Sequence, residues 1–226
     1  MKLRFALWIL LCARGTLWGA VSTLTTNDLA SARIEGSNSL ARFKALITPA
    51  NYQLMGFGST NDLLLATNAE PLVIYTSVQS QLNNYHLGQS FDPLLDPTPR
   101  RVIIPVLVGT NVTSSTTLRA QPGAVGGALV WATENWGQPR LIRELMATYR
   151  SIPNSEIRSG TVPFAVELPV FDIWLLGYYD PKNQLVLRST VDLPLGPITV
   201  HRNEIVSSAA MYQLGIRAQR YNGLPN

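Results

Sequence analysis

The stretch from Arg101 to Trp131 constrains this chain more than any other, because it reads as three consecutive antiparallel strands. Val102–Val108 is apolar on both faces, the pattern of a strand covered on two sides. Pro105 brings no N–H to a ladder, so the reading places this strand at a sheet edge, or bulged at the proline. Gly109, Thr110 and Asn111 make a short turn into Val112–Leu118. There Val112, Thr116 and Leu118 share one face, and Ser115 and Thr117 share the other. The hydroxyls of Ser114–Thr117 are therefore expected to form the outward face of a hairpin. Pro122-Gly123 and Gly126-Gly127 mark a longer turn, and Ala128–Trp131 is the third strand.

Around this meander the pattern changes from period two to period three or four. Thr25–Asp28 caps a helix that is weak through Gly36 and strong at Leu40, Phe43, Leu46 and Ile47, where Pro49 ends it. Thr48-Pro49 opens a short second helix as far as Met55, and Ser59–Asp62 caps a third. Pro71–Tyr75 reads as a strand, and Val78, Leu82 and Tyr85 as a helix. Beyond Trp131 the chain is expected to turn over Thr133–Gln138. It then enters a helix at Pro139, whose stripe of Leu141, Ile142, Leu145, Met146 and Tyr149 should lie on the sheet. Val162, Phe164, Val166 and Leu168 alternate as a strand, Val170–Tyr179 continues extended, Asp180–Asn183 turns, and Gln184–Thr190 returns. A last helix covers about Asn203–Arg220. The expected class is α+β: a mainly antiparallel sheet, meander 102–132 plus strands 162–190, flanked by helices, with a helical N-terminal third. One domain over 23–226 is expected, with a possible division into two lobes at the proline-rich segment 91–100.

Lys2 and Arg4 precede an apolar run from Phe5 to Ala13, the pattern of a secretory signal peptide over residues 1–20, cleaved after Ala20 or Ser22. The run is too short for a bilayer, which needs about 20 apolar residues, so the mature chain is expected to be exported, periplasmic or extracellular, with no transmembrane segment. Losing Lys2, Arg4 and Arg14 reduces the formal charge from +4 to +1, which removes any electrostatic reason to bind nucleic acid. The same cleavage removes Cys12, the only cysteine, so no disulfide or thiol nucleophile is expected.

Chemistry is sparse. His86 and His201 stand apart, without partners at metal-ligand spacing, so neither a metal nor a cofactor is expected. No nucleophile motif is found, and Gly123–Gly127 lacks the Lys of a phosphate loop. Asp92, Asp96, Asp172, Asp180 and Asp192 offer carboxylates to a glycosidase-like hydrolase. Asp172, inside the apolar run Val170–Leu176, is the one whose setting would raise its pKa by desolvation. Trp131, Trp136, Trp174, Tyr178 and Tyr179 are the candidate ligand-binding residues, since grouped Trp and Tyr suit a sugar-stacking or protein-binding face. The order of strand, short turn, strand, Trp-bearing strand and helix resembles cystatin-like and propeptide-type secreted modules over a small part of the chain, which implies a protease-inhibitor-like role. The reading is an exported, non-catalytic binding protein for an unknown protein or small ligand, with an envelope hydrolase and an inhibitor-like module as alternatives.

Overall fold

The computed structural model describes residues 24–123 and 129–221, so the expected signal peptide and Cys12 lie outside the described residues. Thr25 starts the first helix, α1 (Thr26–Leu46). Its hydroxyl accepts the Asp28 N–H at 3.2 Å, and the Asp28 carboxylate accepts the Thr25 N–H at 2.9 Å, which satisfies two otherwise orphaned donors. The helix runs unbroken through Gly36 because it crosses the sheet there: an added Cβ would lie 2.5 Å from Ile104 Cδ1. The second helix expected over 48–55 is a series of turns, closed by Gly56 at φ +94°. A four-residue helix α2 (Asp62–Leu65) leads into β1 (Ala66–Asn68) and β2 (Leu72–Thr76), followed by α3 (Gln79–Asn83). The described residues of the N-terminal third thus hold the long α1, the short α2 and the strands β1 and β2.

The meander follows as β3 (Arg101–Val108), β4 (Asn111–Pro122) and β5 (Leu129–Trp136), then α4 (Pro139–Ser151). β5 continues through the residues expected to turn, and the reversal occurs at Gly137 and Gln138, both left-handed. β6 (Phe164–Leu168), β7 (Ile173–Tyr179) and β8 (Leu185–Ser189) form the second meander. Between β6 and β7 the chain is not continuously extended. Pro169–Phe171 form a 3-10 turn and Asp172 takes φ +52°, so the hairpin closes in the middle of the apolar run. A two-stranded ribbon, β9 (Leu193–Pro194) with β10 (Thr199–Val200), precedes α5 (Ser208–Tyr221).

One sheet carries both meanders, in the order β5-β4-β3-β2-β6-β7-β8, with β1 beside β2 along the same edge of β3. Every pairing is antiparallel except β2 with β6, which is the seam between the two blocks. Pro105 therefore sits in an interior strand, not at an edge. Its carbonyl accepts Ala69 N–H at 2.8 Å, so its missing N–H faces the break between β1 and β2, where no regular ladder needs it. The register against β4 shifts one residue later, between Val106 and Leu107, and this carries Val112 to the face opposite Thr116 and Leu118.

Both faces are covered. α4 places Ile142 and Leu145 on Ile74, Ile103, Ala165 and Leu176. On the other face α1 covers Val102, Ile104 and Leu118, while α3 and α5 cover Val166, Leu168 and Leu175. Ser114–Thr117 are consequently buried rather than outward: α4 lies over one side of β4 and α1 over the other. Ser114 donates to the Gly137 carbonyl and Thr117 to Gln138 Oε1, each at 3.3 Å.

Candidate ligand-binding cavity

α1 covers one end of the sheet and α3 with α5 the other, which leaves a hollow of about 950 Å³ between them on the same face. Its floor is aromatic. Tyr75 on β2 meets Phe164 on β6 edge-on at 4.7 Å between ring centroids, and Phe164 lies 6.1 Å from Tyr179 on β7. These three rings converge because the parallel seam pairs Ile74 with Ala165, and the β6–β7 hairpin pairs Phe164 with Gly177, so alternate residues of three strands project to one side.

Polar groups stand on two walls. On the loop after α3, the Asp92 carboxylate accepts hydrogen bonds from Tyr179 Oη at 2.9 Å and from Ser90 Oγ. On the opposite wall Arg158, just before β6, donates its backbone N–H to the Tyr179 carbonyl at 2.8 Å and its guanidinium to Asn183 Oδ1. Among the described residues, Asp92 is the only acidic residue lining the hollow, and Arg158 the only basic one.

Burial holds the phenols of the floor in the neutral state. It pushes Tyr75 up to about 12, and burial followed by the negative charge of Asp92 raises Tyr179 as well. A phenol raised in the folded state binds its proton more tightly there than in the unfolded chain. The linked stability is therefore complete below about 10, the ordinary tyrosine value, and is lost as pH climbs through the folded pKa. In a phenolate absorbance titration, Tyr75 is expected to ionise only towards about 12, with melting temperature falling as pH climbs from about 10 to that value. A single titration step near 10 with the protein still folded would contradict this assignment. Tyr179 stays neutral around neutral pH and donates its hydroxyl hydrogen to Asp92.

The five aromatic candidates do not gather on one surface. Trp131 is buried under α1 beside Ala120. Trp136 stacks on Phe43 at 6.4 Å and donates Nε1–H to Ser39 Oγ at 2.9 Å. Trp174 and Tyr178 lie in the core on the α4 face, where Tyr178 Oη donates to Glu156 Oε2 at 3.1 Å and receives Arg188 Nε–H at 3.3 Å. Tyr179 alone of the five lines the hollow.

No protein-family model, curated protein or solved structure matches the chain.

The remaining carboxylates lie apart. Asp172 is exposed on its left-handed turn, so the desolvated setting expected for it does not exist. Asp180 accepts the Lys182 and Gln184 N–H groups inside the β7–β8 turn. Asp192 accepts the Arg202 N–H, with His201 Nδ1 3.6 Å away. Asp96 caps Thr98 and lines a separate, smaller cleft on the α4 face. Beside that cleft Arg101 bridges Glu134 and Glu167, and Arg119 also binds Glu134. Burial would raise the Glu134 pKa, but the hydrogen bonds and charges of the two arginines outweigh it and hold the group low. His86 and His201 are exposed and line neither cavity. Among the described residues no three His, Cys, Asp or Glu side chains cluster as a metal site, and no helix is long and apolar enough to cross a membrane.

The sequence offered Asp92 only as one of five hydrolase carboxylates and Tyr75 only as part of a strand, and it gave Ser90 and Arg158 no role. Their shared site is made by the parallel β2–β6 seam, which leaves no local signature.

Proposed function

We propose that the mature chain is an exported, non-catalytic binding protein that holds a small amphipathic ligand in the hollow between α1 and α3. The observation that carries this reading is the hollow itself. An aromatic floor with a few converging polar groups, at about 950 Å³, has the size and lining of small-ligand sites, which run from about 300 to 1,000 Å³. Its polar groups are anchored to neighbours rather than arranged as nucleophile, base and orienting group. Lys2, Arg4 and the apolar run that follows support export.

Protein isolated from the extracytoplasmic fraction is expected to begin at Val21 or Thr23. It should bind an uncharged apolar fluorophore such as N-phenyl-1-naphthylamine saturably, with one molecule per chain. Replacing Val73, which lines the hollow, by Trp should fill the space and weaken that binding by at least about tenfold while the fold persists. Unprocessed protein in the cytoplasm would refute export. Probe binding indifferent to Val73→Trp would refute the site.

A further inference from the structure

The hollow holds one charge of each sign, and the two do not neutralise each other: Asp92 and Arg158 are not partners in any ion pair of the described residues. Each is instead held by neutral groups, Asp92 by Ser90 and Tyr179, and Arg158 by Asn183. A carboxylate offers about four acceptor sites and a guanidinium five donors. Two sites on Asp92 and one donor on Arg158 are engaged by these side chains, so both groups keep capacity for a ligand while their orientation is fixed. Phe91 and Tyr179 line the hollow beside Asp92, and aromatic rings attract an ammonium. On the other wall the planar guanidinium suits a carboxylate.

Tyr179 joins the two walls: its main-chain carbonyl takes the Arg158 N–H, and its hydroxyl reaches Asp92. The floor between the two charges is apolar, and the volume exceeds what one amino acid fills. From this charge complementarity we infer that the hollow binds short zwitterionic peptides of apolar residues, with the free ammonium on Asp92 and the terminal carboxylate on Arg158. This rests on the hollow being the binding site, as proposed above, and adds the ligand class.

Calorimetric titration of the processed protein with the dipeptide Leu-Phe, its N-acetyl form, its C-terminal amide and the doubly blocked form tests it. The free dipeptide is expected to bind tightest. Blocking either terminus should weaken it by about three- to tenfold, with Arg158 at the lower end because its exposure lets solvent screen the contact. Added salt should weaken the free dipeptide and leave the doubly blocked form unchanged. In Asp92→Asn, acetylation should no longer matter; in Arg158→Gln, amidation should no longer matter. Equal binding of all four peptides, or sensitivity at one terminus only, would overturn the zwitterion assignment and leave the hollow a binding site. If neither the peptides nor the uncharged fluorophore binds, the site itself is refuted. The peptide comparison is made on the unaltered protein, so it stands even if a variant folds poorly.

Discussion

Truncating Leu176 to alanine is expected to cost about 2–5 kcal/mol of folding stability, the range for removing a fully buried leucine, and to leave ligand affinity in the hollow unchanged. Leu176 is fully buried at the centre of β7, pairs with Ala165, and belongs to the core on the α4 face that also holds Ile74, Ile103, Ile142 and Leu145. These neighbours belong to β2, β3, β6 and α4, so a void there loosens the seam between the two meanders together with the helix that covers it. The cost lies towards the upper part of the range where flanking strands cannot collapse into the gap, and interior strands paired on both sides are so restrained. The hollow lies on the other face, lined by residues of opposite parity along the same strands, so its rings need not move. Chemical denaturation should show a lower midpoint with an unchanged slope, and probe affinity at a temperature where the variant is folded should equal the wild-type value. A loss below about 1 kcal/mol, or a weakened probe, would mean that the two faces are not the separate layers described.

The sequence carried the period of each element well and the neighbours of each element poorly. The alternation of Phe164, Val166 and Leu168 and the stripe on α4 are local, and both elements form where that patterning puts them, α4 lying on the sheet as expected. Ser114–Thr117 were misread as outward because alternation tells which residues share a side, not whether a helix covers that side; both sides of β4 are covered. Pro105 suggested an edge because a proline costs a ladder bond. The chain avoids that cost by ending β1 and starting β2 on either side of it, an arrangement set by a segment more than thirty positions earlier. Asp172 illustrates the same limit: its apolar neighbours belong to the 3-10 turn Pro169–Phe171 and to β7, and Asp172 itself is exposed at the left-handed position between them. The binding hollow was least legible of all. Tyr75, Asp92, Arg158, Phe164 and Tyr179 come from four separate segments, brought together by the parallel pairing of β2 with β6 and by the β6–β7 hairpin. Of these, Tyr179 alone stood among the aromatic candidates.

Replacing Gly177 by alanine is expected to damage stability and binding together, because this glycine is the bed on which the floor of the hollow rests. Gly177 pairs with Phe164 across β6 and β7, and an added Cβ would stand 2.4 Å from Phe164 Cε2 and 2.9 Å from Cζ. Glycine inside a strand ordinarily weakens it, so alanine would bring a gain of roughly 0.5–1 kcal/mol if space allowed. Here the clash is with a buried ring, and overpacking of this kind costs about 1–3 kcal/mol, so destabilisation wins. Tyr75 at 4.7 Å and Tyr179 at 6.1 Å flank the ring, which leaves the open hollow as the direction in which it can yield. The displaced ring then occupies ligand space, and affinity for the uncharged fluorophore should fall by about tenfold or more. Adding Phe164→Leu to the alanine variant removes the ring that clashes. The double variant should be more stable than the sum of the two single changes indicates, by the coupling of about 0.5–3 kcal/mol found for residues in contact. Strict additivity of the two changes, or full probe affinity in Gly177→Ala, would show that Phe164 does not rest on this glycine.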